Sequence, residues 1–224
     1  MDLSKSFEFF DPSTCPEDLC VIGCGSVGST VAELLTRFGL ENIMLYDFDV
    51  VEEHNLANQM FTRKDLYQKK VYAVGDNLLA INPALKDTIR YYSEGWKPGQ
   101  RLSGYVFLCV DDIDLRRKIV EENKYNLNIK AVFDFRTALT ECQHYAADWS
   151  KAQDKKDLLN WMDFTHKEAQ KAVPVSACNV PLCVAPTVRL VANMGVCNFI
   201  NFVKGEPLKK ALVGNAFTFM MEEI

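Results

Sequence analysis

A glycine pattern near the amino terminus constrains the fold of this chain more than any other feature. Gly23, Gly25 and Gly28 form G-x-G-x-x-G directly after the apolar run LCVIG and before apolar residues at helical spacing. This order is typical of a strand-to-helix turn whose backbone approaches a phosphate at the helix amino terminus. Asp47 ends the next apolar run, where a carboxylate accepts hydrogen bonds from ribose hydroxyls. The pattern predicts an adenine nucleotide site.

The segments that follow alternate between apolar runs of strand length and runs with helical spacing. We expect strands at 42–49, 88–94, 104–112 and 129–136, and helices at 69–82 and 114–123. Such alternation predicts an α/β fold of the Rossmann-like, doubly wound type. Its sheet would be mostly parallel, with ligands bound beyond the carboxyl ends of the strands.

The pattern changes after Arg136. The sequence predicts an antiparallel strand at 140–148, a long helix at 186–206 and a last strand, AFTFMM, at 216–221. The polar segment 149–172 is interpreted as a solvated face, with a lid or docking surface as the alternative. We therefore expect a single domain over residues 1–224. Its nucleotide-binding half would be 1–136, and its antiparallel, substrate-side extension 137–224.

Composition excludes several classes of protein. The chain has 224 residues, a formal net charge of -5 and no run of Lys or Arg, so nucleic acid is not an expected partner. No apolar run is long enough to cross a membrane. The first residues also lack the basic and apolar stretches of a signal peptide, and we therefore expect a cytoplasmic protein.

The eight cysteines are expected to be free thiols in a cytosolic chain. None forms C-x-x-C, so no structural zinc site is expected. Cys20, Cys24, Cys109 and Cys197 have apolar or glycine neighbours and are interpreted as small buried side chains. The three histidines lack the spacing to an acid and a nucleophile that would predict a catalytic triad.

Further motifs follow the glycine turn in a fixed order. They are DFDVVEEHNLANQMFTRKDL, QKKVYAVGDNLLAINP, VFLCVDDIDLRRKI and CNVPLCVAPTVRLVANMGVCNFINFVKGE. Together with the turn, these motifs resemble the ThiF/MoeB/HesA family, the bacterial relatives of ubiquitin-activating enzymes. Members of that family bind ATP and adenylate the C-terminal carboxylate of a small protein. Several motifs in the right order are more specific than any one of them.

The resemblance implies a role for each matching polar residue. Asp47 would hold the ribose, Asp49 would lie close to the phosphates, and Asp111 would bind magnesium. Three further side chains would face the phosphates, namely Asn55, Gln59 and Lys70. Magnesium and lysine would neutralise charge as a carboxylate attacks the α-phosphate and pyrophosphate leaves. From the residues alone, helix capping by Asp111 and a solvated surface charge at position 70 remain alternatives.

The sequence departs from the family pattern at its arginines. Asn58 stands where the family's R-Q pair has its arginine. The family also uses an arginine from the amino-terminal segment of the neighbouring subunit, but the first 36 residues here contain none. Transition-state charge would then rest on lysine and magnesium unless Arg63, Arg136 or a partner protein supplies a guanidinium.

The cysteines of the family are matched only in part. Cys178 stands eight residues before Pro186, at the position where some members carry the activated chain as a thioester or persulfide. A small buried side chain is the alternative for this residue, and Cys183 and Cys142 are lesser candidates. The family's paired zinc cysteines are absent, which indicates a shortened or divergent member.

We therefore predict an ATP- and Mg²⁺-dependent adenylyltransferase that acts on a ubiquitin-like protein, a sulfur-carrier protein or a peptide. The resemblance also implies a homodimer. Asn58 and the missing amino-terminal arginine leave a nucleotide-binding pseudoenzyme or scaffold subunit as one alternative. An NAD-dependent oxidoreductase is the other, since it needs only the glycine pattern and Asp47.

Overall fold

The strands of the computed structural model, which describes residues 1–175 and 182–224, form one eight-stranded sheet. Its order is β3-β2-β1-β4-β5-β6-β7-β8. The five strands from β3 to β5 are parallel, and β6, β7 and β8 continue the sheet in antiparallel pairing. The strand bounds are β1 Leu19–Ile22, β2 Ile43–Tyr46, β3 Arg90–Tyr92, β4 Gly104–Leu108, β5 Ile129–Thr137, β6 Glu141–Asp148, β7 Ala211–Asn215 and β8 Met220–Glu223.

Helices cover both faces of this sheet. Their bounds are α1 Ser26–Arg37, α2 Lys70–Ile81, α3 Ile113–Asn123, α4 Ala152–Asn160, α5 His166–Ala172 and α6 Ala185–Val203. Helices α1, α2 and α6 pack on one face, and α3, α4 and α5 lie on the other. Each face buries its own apolar cluster, as expected for a sheet with helices on both sides.

The strand order places a switch point between β1 and β4. From β1 the chain continues to β2 and β3 on one side, and then crosses to β4 and β5 on the other. The connections after β1 and β4 therefore diverge and open a crevice at the carboxyl ends of these two strands. The predicted fold class, a Rossmann-like and mostly parallel sheet with an antiparallel extension, is confirmed.

The glycine turn lies at this switch point. Gly23 has φ +94°, and a Cβ there would lie 2.8 Å from the backbone of Cys109 and Val110. A Cβ on Gly28 would lie 1.7 Å from the carbonyl oxygen of Gly23. These two positions need glycine because the turn passes close to the backbone that follows β4, and because the first turn of α1 packs on Gly23.

Two segments differ from the sequence-based expectation. The polar segment 149–172 forms α4 and α5, and it buries Leu158 and Met162 against the sheet. The predicted last strand, 216–221, begins too early. Phe217 lies in the turn between β7 and β8, and the last strand is β8. The Asn215 side chain closes that turn by accepting hydrogen bonds from the backbone N–H groups of Phe217 and Thr218.

Two further predictions concern the burial of the cysteines and the presence of membrane-spanning segments. Cys20, Cys24 and Cys109 are buried as expected, but the interpretation of Cys197 as buried was wrong, because its side chain lies on an exposed face of α6. None of the helices in the described residues is long and apolar enough to cross a membrane.

Candidate functional site

A cavity of about 200 Å³ lies at the carboxyl ends of β1, β2 and β4, and we call it the glycine-turn cavity. Seven of the predicted nucleotide- and metal-binding residues line it, namely Gly23, Gly25, Asp47, Asp49, Gln59, Lys70 and Asp111. Apolar side chains complete the wall, among them Phe48, Trp96, Val110 and Leu115. These residues come from distant parts of the chain, and the sheet brings them to one crevice.

Asp47 is held rigidly at the end of β2. Its Oδ2 accepts a hydrogen bond from the Cys24 N–H at 2.6 Å, and its Oδ1 accepts one from the Asp49 N–H at 2.8 Å. Burial raises the pKa of this carboxyl, although the two backbone donors act in the opposite direction. A ligand that donates hydrogen bonds would stabilise the ionised form, so the site suits a pair of hydroxyl groups.

Lys70 is the first residue of α2 and contributes a cation to the same wall. Its Nζ lies 2.9 Å from Asp49 Oδ2, and its side chain is only 9% exposed. The neighbouring Lys69 instead donates to the carbonyl oxygen of Phe48. The geometry therefore favours a role inside the cavity for Lys70 over that of a solvated surface charge, because its charge is buried and paired.

The other predicted phosphate-facing residues have different positions. Gln59 lines the cavity, and its buried Oε1 has no hydrogen-bond partner among the described residues. Asn55 is buried, its Oδ1 accepts the Glu52 N–H at 2.9 Å, and it is not among the lining residues. Gly28 is also not a lining residue, because it packs on Gly23. A Cβ on Gly25, in contrast, would meet no atom within 4 Å in the part of the chain that the structure describes, which leaves room for a ligand beside the turn.

Asp111 lies in the short connection between β4 and α3. The capping role expected as its alternative belongs to Asp112, whose Oδ1 accepts hydrogen bonds from the N–H groups of Asp114 and Leu115 at 2.9 and 3.1 Å. Asp111 is exposed and lines the glycine-turn cavity. The described residues contain no cluster of three or more potential metal ligands. A single carboxylate is nevertheless compatible with Mg²⁺, which is often bound by one or two carboxylates plus phosphate oxygens.

A second cavity of about 310 Å³ adjoins the first, and we call it the α5 cavity because α5 forms one wall. Ser26 and Asp111 line both cavities. The other lining residues are Asn58, Ile113, Arg116, Arg136, Thr137, Phe164, His166, Ala169, Gln170, Val173, Leu182 and Cys183. A ligand in one cavity can therefore meet a ligand in the other beside Asp111.

Two arginines of the α5 cavity share one buried carboxylate. Asp134, on β5, is fully buried and accepts hydrogen bonds from Arg116 Nη1 and, at 2.7 Å, from Arg136 Nε. Burial opposes its ionisation, but the two guanidiniums outweigh this effect and hold the pKa of Asp134 below its ordinary value. Arg116 also donates to the carbonyl oxygen of Val110, so it fixes the chain just before Asp111.

Several residues of the site carried no signal in the sequence. Arg116 is followed by a second arginine, and only the orientation of α3 decides which of the two faces the cavity. Trp96 matched no motif, and His166 and Phe164 belong to the segment interpreted as a solvated face. Of the two other arginines considered as guanidinium donors, Arg136 lines the α5 cavity, whereas Arg63 lies at the surface, 3.5 Å from Glu53.

The cysteines considered as nucleophiles are only partly described. Cys178 lies outside the described residues. Cys183 lines the α5 cavity, whereas Cys142 is buried with its Sγ 3.7 Å from Met194 Sδ. Burial raises the pKa of Cys142 to about 11 and also raises the pKa values of Cys24 and Cys109 beside the glycine turn. These three are therefore protonated at neutral pH.

Known proteins resemble this chain over most of its length. A family model described as the ThiF family matches residues 17–223. Ubiquitin-like modifier-activating enzyme 5 of Drosophila willistoni is 30% identical over 145 residues, which cover 57% of this chain and 34% of that protein. The same enzyme of Drosophila erecta is 32% identical over 126 residues, or 49% and 31% of the two proteins. The chain thus spans about a third of the length of the curated relatives it matches.

Solved structures share the fold at low identity. The crystal structure of E. coli MccB with ATP has a TM-score of 0.71 at 16% identity, and the match covers 95% of this chain and 65% of that one. The crystal structure of PaaA has a TM-score of 0.69 at 16% identity, with the same coverage. At this level of identity the likeness concerns the fold.

Proposed function

Because this chain belongs to the ThiF family, we propose that it adenylates the C-terminal carboxylate of a small protein or peptide, with ATP and Mg²⁺. The observation that carries the proposal is the meeting of the two cavities at Ser26 and Asp111. A nucleotide in the glycine-turn cavity would present its phosphates at this junction. A chain end in the α5 cavity would bring its carboxylate to the same point.

The residues of the glycine-turn cavity suit a nucleoside triphosphate. Asp47 would accept hydrogen bonds from the ribose hydroxyls, and the glycine turn would place backbone N–H groups against a phosphate. Lys70 and Gln59 would face the remaining phosphates. In the reaction a carboxylate oxygen forms a bond to the α-phosphorus, the bond to the bridging oxygen breaks, and pyrophosphate leaves. Lys70 would balance the negative charge that builds up on the leaving group.

Asp111 would hold Mg²⁺ at the junction of the cavities. Its exposed carboxylate, free of the capping role that Asp112 performs, fits this assignment. When bound, the ion would reduce the repulsion between the phosphates and the incoming carboxylate. Arg116 would contribute indirectly, because it fixes the backbone before Asp111 through the Val110 carbonyl.

The names of the relatives support this proposal. Curated matches are called ubiquitin-like modifier-activating enzyme 5, and MccB was crystallised with ATP and with MccA. Because this chain spans about a third of the curated relatives, their partners and later steps do not transfer directly. We propose a ubiquitin-like or sulfur-carrier protein, or a peptide, as the substrate. A homodimer, a cytoplasmic location and transfer to Cys178 are further parts of the proposal.

ATP–pyrophosphate exchange tests this function. The purified chain should catalyse exchange when one member of a panel of ubiquitin-like proteins, sulfur carriers and peptides is present. Lys70→Ala and Asp111→Asn should each lower the rate about 100-fold or more, because each removes charge stabilisation in the transition state. The exposed residues Lys64 and Asp76 provide matched controls, and Lys64→Ala and Asp76→Asn should leave the rate unchanged. Full exchange in the Lys70→Ala, Asp111→Asn double variant would contradict the proposal.

A nucleotide-binding subunit without catalysis is the second candidate. It is favoured by Asn58, which lines the α5 cavity and supplies no positive charge there. Thermal denaturation with ATP plus Mg²⁺, ATP plus chelator, and NAD tests binding separately, since a ligand at 100 times its Kd stabilises by about 2.7 kcal/mol. An ATP shift without exchange for any panel member would favour this candidate. A shift with NAD alone would favour an oxidoreductase.

A further inference from the structure

A buried carboxylate lies beside the connection that carries Asp111. Asp134 on β5 is fully buried and pairs in register with Leu108, three residues before Asp111. Its Oδ1 accepts a hydrogen bond from Arg116 Nη1, and its Oδ2 accepts one from Arg136 Nε at 2.7 Å. Asp134 is not among the described residues that line either cavity, so it acts on a ligand only through its arginines.

Arg116 joins this carboxylate to the chain just before Asp111. Its Nε donates to the Val110 carbonyl oxygen at 2.7 Å, and its Nη2 donates to the same oxygen. Its Nη1 donates to Asp134 and, at 2.6 Å, to the carbonyl oxygen of Phe135. All three nitrogens are thus bonded, and the side chain is only 7% exposed. Because the guanidinium is planar and rigid, these contacts leave it one orientation, which fixes the Val110 carbonyl.

The residues on both sides of Asp111 are therefore held in place. Val110 is held by Arg116, and Asp112 caps α3 through the N–H groups of Asp114 and Leu115. Mg²⁺ requires nearly ideal octahedral geometry, so a carboxylate that binds it has to be placed accurately. Groups that orient a metal ligand typically affect metal affinity or activity about 10- to 100-fold.

We propose that Asp134 is a positioning residue, which orients Arg116 and thereby holds Asp111 in place for Mg²⁺ and ATP. The inference rests on the proposed function, because it deepens the role assigned there to Asp111. The charge of Asp134 is essential to this role. Without it, Arg116 and Arg136 would be two buried cations whose remaining hydrogen bonds go to backbone carbonyls, and their repulsion would change the orientation of Arg116.

Calorimetric titration with ATP plus Mg²⁺, and with ATP plus chelator, tests the inference. The ratio of the two dissociation constants measures how much the ion contributes to binding. Arg116→Lys keeps a positive charge beside Asp134 but loses the paired bonds to the Val110 carbonyl, whereas Asp134→Asn removes the charge that orients Arg116. Each should reduce the ratio about 10-fold. Arg117→Lys is the matched control and should keep the wild-type ratio, because Arg117 donates to the Met162 carbonyl instead.

The titration with chelator separates positioning from a general loss of structure. In both variants the dissociation constant for metal-free ATP should stay at the wild-type value, because Asp47 and Lys70 are held by other partners. A purely structural role would weaken both dissociation constants alike. A wild-type ratio in folded Arg116→Lys and Asp134→Asn would overturn the inference alone, provided that Asp111→Asn lowers the ratio. A wild-type ratio in Asp111→Asn would also contradict the magnesium site of the proposed function.

An NMR measurement on the wild-type chain decides the case in which both variants fail to fold. The Arg116 Hε should exchange slowly with solvent at neutral pH, because its Nε–H is hydrogen-bonded to the Val110 carbonyl. Its signal should shift when ATP plus Mg²⁺ is added and stay in place with ATP plus chelator. A rapidly exchanging Hε, or the same signal position with and without Mg²⁺, would contradict the inference.

Discussion

At the scale of single residues, the two cavities concentrate the unsatisfied polar atoms. In the described part of the chain, four buried side-chain polar atoms have no hydrogen-bond partner. Three of them, Gln59 Oε1, Arg136 Nη2 and His166 Nδ1, belong to residues on the cavity walls. Buried polar groups are normally satisfied, so each of these atoms lowers the stability of the fold relative to a paired one.

His144 is a buried group whose protonation should control stability in acid. Its Nδ1 lies 3.0 Å from the Asp134 carbonyl oxygen and its Nε2 lies 3.1 Å from Asn198 Nδ2. Burial lowers its pKa to about 4. Because the folded pKa lies below the unfolded value of about 6.5, this residue costs no stability above that pH, and stability is lost as the pH falls toward 4.

The free energy of unfolding should therefore fall by about 2 kcal/mol between pH 7 and pH 5 through His144 alone. Urea denaturation at the two pH values measures this loss. His144→Gln should reduce the difference between the two values by that amount. His54→Gln, a change at an exposed histidine, should keep the wild-type difference. An unchanged difference in His144→Gln would show that other groups cause the acid sensitivity.

At the scale of elements, the turn between β1 and α1 separates structural from ligand-facing glycines. A Cβ on Gly28 would collide with the backbone of the turn, whereas a Cβ on Gly25 would enter open space in the cavity. Gly28→Ala should therefore destabilise the fold by about 3 kcal/mol or more, which lowers Tm by roughly 6–12 °C in a chain of this size. Thermal denaturation without ligand checks this expectation.

Gly25→Ala is the matched variant, and we expect it to keep the stability of the fold but to weaken ATP binding. It should cost about 1 kcal/mol at most, because Gly25 is the residue before α1 and has an ordinary negative φ. The added methyl group should nevertheless weaken binding of ATP and reduce the thermal shift that ATP produces. A full ATP shift in this variant would show that the nucleotide does not approach the turn.

The segment 149–172 shows how element packing overrides local composition. Its lysines and acids indicate a solvated face, and Lys156, Lys167 and Lys171 are indeed exposed, but Asp154 is buried on α4. Leu158 and Met162 are fully buried, however, and the Arg117 guanidinium donates to the Met162 carbonyl oxygen at 3.0 Å. These contacts hold α5 beside α3, and α5 forms a wall of the second cavity.

At the scale of the whole molecule, the two predicted halves share one sheet. Strand β5 of the nucleotide half pairs with β6 of the extension, and α6 of the extension packs on α1. Removing residues 137–224 would expose the apolar surfaces of β5 and α1. We therefore predict that the chain unfolds as one unit, and that a fragment of residues 1–136 has no cooperative transition.

Coincident unfolding curves test this prediction. Trp96 lies in the nucleotide half, whereas Trp149 and Trp161 lie in the extension. In Trp96→Phe, tryptophan fluorescence reports on the extension alone, and far-ultraviolet circular dichroism reports on the whole sheet. The two urea midpoints should agree. Separate midpoints, or a sigmoidal transition of the 1–136 fragment, would indicate two independent domains.

The sequence by itself determined the class of fold and many residues of the glycine-turn cavity. Apolar periodicity specified the parallel strands and their helices because burial of each face depends on local pattern. The glycine turn and Asp47 were readable because their backbone geometry and position after a strand are local properties. The ends of β7 and β8 could not be read from the sequence, because the side chain of Asn215 sets the turn between them through its own hydrogen bonds.

Tertiary structure alone decided the second cavity. Arg116, Arg136 and Asp134 are far apart in sequence from His166 and Phe164, and no local pattern relates the two groups. They meet because β4 and β5 are neighbours and because α5 packs against α3. The burial of Asp134 and the direction of each guanidinium depend on this packing. Long-range packing, which leaves no trace in local periodicity, thus created the charged site where we expect the substrate to bind.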